Sequence, residues 1–314
     1  MTTSASSPIL VATRASTLAL RQAEHVVGLL KNAAPGASVA TVHVSTSGDR
    51  DLAASLKSFG GMGVFTREVQ QAVLDGRGRL AVHSLKDLPT ESVPGLCLAA
   101  VPPREVTADA LVLPRAATAL AAIEQLPAGT RIGTGSLRRQ AQLKHLRPDV
   151  QVGDVRGNVE TRLKKLDAGD FDALVLAVAG LKRLALESRI SLQLGPPQMY
   201  AAVGQGALGL ECRADDAELR EILKQIDDPS ARSRVTAERA LLAHLRAGCH
   251  APVGTATCID SDDLVLEAVV LSPDGKERLF ATAHGPTAGA AALGAQVGDL
   301  LLAQGADRLI SARL

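Results

Sequence analysis

The chain has 314 residues, 34 Lys+Arg against 33 Asp+Glu, four Phe, one Tyr and no Trp. That length exceeds one typical domain. A net charge of +1 is not the footprint of a general nucleic-acid binder, and so few aromatics leave little for base stacking. The longest strongly apolar run, 173–181, is too short to span a bilayer. Thr2 to Ser7 lacks the basic start and apolar core of a secretory leader. Four scattered cysteines suit reduced thiols rather than a disulfide framework. The expectation is a cytoplasmic multidomain protein with neither membrane nor nucleic-acid partner.

Elements alternate through the first two-thirds. Residues 9–13 read as a short buried strand, after which Ser16 can cap a helix with Ala19, Ala23, Val26, Val27 and Leu30 at helical spacing. Residues 39–44 form a second strand, Thr66 begins a helix with Val69, Ala72 and Val73 on one face, and 80–83 return as a strand. This pattern predicts a mostly parallel α/β sheet. After a proline-bearing crossover at 101–105 the alternation restarts: strand 131–134, helix 136–146, strand 150–154, helix 159–167 and strand 173–179. Beyond about residue 222 the texture changes to helix 231–245, strands 255–259, 264–271 and 279–283, and helix 288–303. Asp274-Gly275 supplies a hairpin turn, and the whole reads as a small α+β domain.

In open α/β sheets ligands bind beyond the carboxyl ends of strands, near helix N-termini. Arg14 and Ser16, Ser45 to Asp49, His83-Ser84-Leu85-Lys86-Asp87, Gly133 to Arg139, Asp154-Val155-Arg156-Gly157-Asn158 with Arg162, and Lys182-Arg183 all fall there. In Gly133-Thr134-Gly135-Ser136-Leu137-Arg138-Arg139, small residues permit close approach of an anion, and Ser136 can cap. Two arginines in the first helical turns oppose the dipole preference and make sense beside an anionic ligand. Arg14, Arg138, Arg139, Arg156, Arg162 and Arg183 together suggest a polycarboxylate or phosphate site. Asp87, beside Lys86 at a strand end, is the best acid/base or electrostatic candidate. Cys249 lies in Ala247-Gly248-Cys249-His250, where a thiol can be exposed as a nucleophile or attachment point; Cys97, Cys212 and Cys258 read as buried. Gly204-Gln205-Gly206-Ala207-Leu208-Gly209 matches a dinucleotide-binding pattern literally but opens no convincing helix. The seven histidines show no metal-ligand spacing, so no metal is expected.

Taken together, Ala12-Thr13-Arg14-x-Ser16, Gly48-Asp49, Ala81 to Pro89, Gly133 to Gln140, Arg156-Gly157-Asn158-Val159, Thr161-Arg162-Leu163, Ala177 to Leu184, Val203 to Ala207 and Glu238-Arg239 resemble the porphobilinogen deaminase (hydroxymethylbilane synthase) family along almost the whole chain. The resemblance implies head-to-tail joining of four porphobilinogen units to hydroxymethylbilane, with loss of ammonia at each step, on a covalent dipyrromethane cofactor. It implies Cys249 as the thioether attachment point and Asp87 as the carboxylate that stabilises the cationic azafulvene. Lys86, Ser136, Arg138, Arg139 and Arg156 would hold the cofactor beside Asp87. Arg14, Ser16, Arg156, Arg162 and Arg183 would hold the acetate and propionate groups of substrate and growing chain, with Arg14 also helping proton transfer. Gln205 matches a position near the interdomain region. The implied architecture is two periplasmic-binding-protein-like α/β domains, 1–104 with a return segment 202–222 and 105–201, plus a small α+β domain, 223–314; no coiled coil or large apolar segment demands assembly, so a monomer is expected. The chain departs from the family at Met62 in Gly60-Gly61-Met62-Gly63, where a lysine is usual; Lys57 or Arg67 could take over that contact. The attachment segment departs too, at Ala247, His250 and Ala251. A non-catalytic anion-binding protein of two α/β lobes is the rival reading.

Overall fold

The computed structural model describes residues 8–45, 66–115, 120–248 and 251–311. The chain divides into two compact units, Met1–Arg104 with Ala207–Arg232, and Glu105–Gly206 with Ser233–Leu314.

In the first unit, strand β1 (Ile9–Arg14) lies between β2 (Val39–Val44) and β3 (Leu80–Ser84), parallel to both. Its residues are apolar on both faces because helices cover both sides of the sheet. Helix α1 (Thr17–Ala33) starts at Ser16, whose hydroxyl accepts from the Ala19 N–H at 3.4 Å. It buries Gln22, Ala23, Val26 and Leu30, a stripe at helical period, and Pro35 prevents its continuation. Full burial of a side chain such as Leu30 contributes about 1.5–3 kcal/mol. Helix α2 (Arg67–Leu74) packs Val69, Ala72 and Val73 against Ala12, Val44 and Ala81. Two further strands complete the sheet, β4 (Leu96–Ala100) and, from much later in the chain, β10 (Leu208–Arg213), giving the order β2-β1-β3-β10-β4. Strand β10 runs antiparallel to both its neighbours. Helix α6 (Ala217–Lys224) adds Leu219 and Leu223 to the core under β1 and β3.

The second unit repeats the plan with β5 (Asp109–Val112), β6 (Arg131–Gly133), β7 (Gln151–Gly153), β8 (Ala173–Ala177) and β9 (Leu192–Leu194) in the order β7-β6-β8-β5-β9. Helices α3 (Leu137–Leu146), α4 (Val159–Asp167) and α5 (Val178–Arg183) follow β6, β7 and β8. Here β5 is the antiparallel strand, paired with β8 and β9. Helix α7 (Pro229–His244) leads into a separate antiparallel sheet, β11 (Val253–Asp260), β12 (Asp263–Leu271) and β13 (Arg278–Pro286). Helices α7, α8 (Ala290–Ala303) and α9 (Ala306–Ser311) bury Leu241, Leu293, Val297, Leu301 and Leu309 against Leu264, Leu266 and Ala268.

The structure corrects several expectations. The two larger sheets keep four of five strands in one direction, but each is mixed, because β10 and β5 insert backwards among the parallel strands. The apolar run 173–179 is not all strand: it stops at Ala177, and Val178 opens α5, since a uniformly apolar run carries no period to mark the change. Ser136 stands at the N-cap of α3, but its hydroxyl makes no capping bond. Cys258 is exposed rather than buried, because it takes an outward position in β11. As expected, the glycine-rich 204–209 segment opens no helix and runs instead into β10.

Candidate active-site residues of the two units

In the first unit, parallel pairing of Val11 with Leu80 and of Ala12 with Ala81 brings the carboxyl ends of β1 and β3 to one sheet edge. Arg14 ends β1, and half-buried Ser16 caps α1. Strand β3 ends at Ser84, and the chain folds at once into a single 3₁₀ turn, Leu85–Asp87. Fully buried Leu85 anchors that turn, its N–H bonded to the Ala207 carbonyl at 3.0 Å, while Lys86 and Asp87 remain half-buried. Among the described residues nothing hydrogen-bonds the Asp87 carboxylate, whereas Lys86 and Arg14 have partners. The turn has firm support. Gln22 Nε2 donates to the Ser84 hydroxyl at 2.7 Å, Gln70 Nε2 donates to Glu211 Oε2 at 2.8 Å, and buried His83 lies with Nε2 3.0 Å from that oxygen without a hydrogen bond to it.

In the second unit the carboxyl ends of β7, β6 and β8 are neighbours. Beyond β7, exposed Arg156 pairs with Asp154 at 2.9 Å, and Asn158 caps α4 by accepting from Thr161 N–H at 2.8 Å. Arg162 Nε donates to the Gly157 carbonyl at 2.8 Å. Beyond β6 comes half-buried Ser136, whose hydroxyl has no partner among the described residues. Arg138 and Arg139 follow on α3, and both are buried. Because β5 runs backwards, its first residue, Asp109, lies opposite Ala177 at this same edge. Asp109 takes Arg138 Nη1 on Oδ2 at 2.8 Å, and Arg139 Nε and Nη2 on Oδ1 at 3.1 and 2.8 Å. Burial pushes the Asp109 carboxyl up, but the charges and hydrogen bonds of the two arginines outweigh it and hold it well below the usual carboxylate range. Burial lowers Arg138 against the pull of Asp109.

Beyond β8, Arg183 Nη2 donates to the Gly206 carbonyl at 2.7 Å and Lys182 pairs with Glu105 at 2.8 Å. Burial lowers Arg183, with Glu105 opposing. Gly206 has φ +84°, and a Cβ there would lie 2.3 Å from the Glu105 carbonyl oxygen, so this close approach requires glycine. Gln205 Nε2 donates to Asp109 Oδ1 at 2.8 Å and to the Thr107 carbonyl at 2.6 Å, while Gly204 N–H donates to buried Glu238 at 2.8 Å.

Arg14, Ser16, Lys86 and Asp87 thus gather at one sheet edge, and Ser136, Arg138, Arg139, Arg156, Arg162 and Arg183 around another. Cys249 and His250, Gly48-Asp49, Lys57 and Met62 lie outside the described residues; Arg67 is exposed at the start of α2. Sequence reasoning missed Asp109, Glu105 and Gln22. The signal for Asp109 was a lone acid heading the apolar run Asp109-Ala110-Leu111-Val112. Among the described residues no helix is long and apolar enough to cross a membrane, and no His/Cys/Asp/Glu group could hold a metal ion.

Comparison with known proteins adds a second line. Residues 9–221 match the family model described as porphobilinogen deaminase, dipyromethane cofactor binding domain, and residues 233–303 match porphobilinogen deaminase, C-terminal domain. A curated porphobilinogen deaminase from Syntrophotalea carbinolica is 45% identical over 307 residues, covering 98% of this chain and 96% of its own. Among solved structures, the second substrate-binding domain of a putative amino acid ABC transporter from Streptococcus pneumoniae aligns at TM-score 0.44 and 12% identity, covering 70% of this chain and 91% of its own. The VFT2 domain of BvgS from Bordetella pertussis aligns at TM-score 0.43 and 15% identity, covering 73% and 91%. Those two scores are too low to bear on function.

Proposed function

Because the chain belongs to the porphobilinogen deaminase family, we propose how its residues divide the work of joining four porphobilinogen units to hydroxymethylbilane with release of ammonia. The covalent dipyrromethane, when bound, supplies the pyrrole chain end to which incoming units are added. The residues present suit such a group: Arg138 Nε is buried without a partner, and Arg138 and Arg139 share one carboxylate between two positive charges. Their surplus charge calls for an anion, and an acetate or propionate side chain provides one. Lys86, Ser136, Arg138 and Arg156 are the proposed holders of those carboxylates, Arg139 adds its positive charge beside Arg138, and Cys249 is the proposed source of the thioether sulfur.

Each incoming unit brings two carboxylates, and Arg14, Ser16, Arg156, Arg162 and Arg183 are assigned to them. Arg183 and Arg162 are each steadied by one backbone carbonyl, which limits the rotamer freedom lost on binding. Loss of ammonia leaves a positive charge on the substrate pyrrole. A carboxylate fixed in advance stabilises that charge without reorganising, and Asp87 is the residue assigned to that role. Its oxygens are to accept the pyrrole N–H, while Arg14, at the neighbouring strand end, assists proton transfer to the departing amine.

The observation that carries this reading is the Leu85–Asp87 turn, which ends β3 with a half-buried carboxylate that no described side chain occupies. Asp87→Ala tests it: ammonia release per folded molecule should fall on the order of 10²–10³-fold, the usual cost of losing one transition-state electrostatic partner. Near-normal turnover would reject the role. We place the enzyme in the cytoplasm as a monomer; its net charge of +1 supports the absence of a nucleic-acid partner. The proposed domain limits are 1–104 with 202–222, 105–201 and 223–314, supported by a C-terminal family match that begins at 233.

A further inference from the structure

We infer that Asp109 is a positioning residue for the reaction: it consumes Arg139 as a clamp and turns Arg138 so that its Nε–Nη2 edge is delivered to a cofactor carboxylate. The inference rests on the assignment of Arg138 to the cofactor.

Three observations support it. The first is geometric. The Asp109 side chain is 0% exposed and is met from three directions, by Arg138, Arg139 and Gln205. Strand β5 can deliver it there only because it runs against β8, with Asp109 opposite Ala177.

The second is that the two arginines are used differently. Arg139 spends Nε and Nη2 on Asp109 Oδ1 and Nη1 on the Val175 carbonyl at 3.0 Å, so every guanidinium nitrogen has a partner. Arg138 is gripped by one nitrogen only. Its Nη1 donates both to Asp109 Oδ2 and to the Tyr200 carbonyl, which Gln142 Nε2 also bonds at 3.0 Å. The Nε of Arg138 is buried with no partner, and its Nη2 bonds nothing among the described residues. The pair of donors left over is the parallel fork that matches a carboxylate bidentately.

The third is the charge balance. Among the described residues Asp109 is the sole carboxylate on either arginine, so the buried cluster keeps about one surplus positive charge. A buried donor edge and an uncompensated charge coincide on one side chain. Both are satisfied by an incoming carboxylate, and neither by the protein itself.

The test is Asp109→Asn, which keeps the shape and removes the charge. Four quantities are read: melting temperature, the fraction of purified molecules carrying the dipyrromethane mass by intact mass spectrometry, kcat per loaded molecule, and KM. The expected result is a folded protein whose loaded fraction falls at least threefold and whose kcat per loaded molecule falls about tenfold, with KM changed less than threefold. A merely structural Asp109 would lower the yield of folded protein but leave kcat per loaded molecule and loading as in the parent, and that result overturns the inference. If Asp109→Asn does not fold, Asp109→Glu is read in its place. It keeps the charge but displaces it by one methylene, so the inference requires the same fall in kcat per loaded molecule, and parental turnover overturns it. Arg138→Lys and Arg139→Lys separate this failure from failure of the underlying assignment. Parental loading and turnover in Arg138→Lys would refute the assignment of Arg138 itself. Impaired Arg138→Lys with parental Asp109→Asn would refute only the positioning role. Arg139→Lys should lower the melting temperature more than Arg138→Lys and reduce kcat per loaded molecule less; the reverse order contradicts the division between clamp and delivered edge.

Discussion

Gly209→Ala probes how far the position of Asp87 depends on packing beneath it. Gly209 sits in β10 opposite His83, under the turn that carries Asp87. A Cβ there would lie 2.6 Å from Leu85 Cδ1 and 3.2 Å from Leu98 Cδ1. The first contact falls short of ordinary van der Waals distance by roughly 0.8 Å, and Leu85, 1% exposed, has nowhere to swing. Overpacking of this kind costs about 1–3 kcal/mol, offset by about 0.5–1 kcal/mol from replacing a glycine in a strand. The net loss, centred on about 1 kcal/mol and at most about 2.5 kcal/mol, corresponds to a melting temperature lower by about 1–4 °C in a chain of 314 residues. The turn is short, with Leu88 N–H bonded back to the Leu85 carbonyl at 3.1 Å, so moving Leu85 also moves the Asp87 carboxylate. A misplacement near 1 Å can cost on the order of 10²-fold, and an intermediate fall of about tenfold in kcat for ammonia release is expected here. Calorimetry and a stopped-time ammonia assay measure the two effects. Adding Leu85→Val, which removes the clashing δ carbon, should recover part of both. Unchanged kcat and melting temperature in Gly209→Ala would refute the reasoning, and so would a stability loss with wholly parental kcat.

Acid should unfold the protein through carboxylates held below their ordinary values. Asp216 is lowered by its hydrogen bond from Arg79, against burial; Glu105 is raised by burial but lowered on balance by Lys182; and Asp109 is held down by its arginines. Depressed folded-state values mean the unfolded chain binds more protons, so this stability is complete above the unfolded values, 3.8 for Asp and 4.5 for Glu, and drains away as pH falls below them. Melting temperature should therefore stay level from pH 7 to about 5 and drop below about 4, less steeply in Arg79→Gln; a fall that begins above pH 6 would contradict it. Burial and the neighbouring Cys97 push the Cys212 thiol up to about 12, whereas Cys258 is exposed. Iodoacetamide at pH 8 should thus alkylate Cys258 in the native protein and leave Cys212 until denaturant is added, and equal rates by peptide mapping would refute this.

Much of the fold was readable because its helices are amphipathic and its turns carry their own chemistry. Ser16 and Asn158 mark helix starts in the sequence and cap them in the structure. What escaped was strand direction. Alternating strands and helices suggest parallel pairing, and nothing in Asp109-Ala110-Leu111-Val112 or Leu208-Gly209-Leu210 shows that these strands enter backwards; that depends on pairings across the chain. The arginines of the candidate site were legible as a group, since cations at strand ends need a reason. Their individual states were not. Arg138 and Arg139 are adjacent and chemically identical, and only the position of Asp109 separates one from the other. The Lys86-Asp87 pair was found from its place after a strand, yet the support from Gln22, Glu211 and Gly209 comes from distant segments that only folding brings together.

The central claim, a covalently primed deaminase that holds its cofactor on Cys249, is tested most directly by intact-protein mass spectrometry of the purified chain beside Cys249→Ser. The account requires the parent to exceed its sequence mass by two deaminated porphobilinogen units and the variant to match its sequence mass with no turnover. A parent of bare sequence mass with full activity, or a Cys249→Ser protein that keeps both the added mass and the activity, would contradict it.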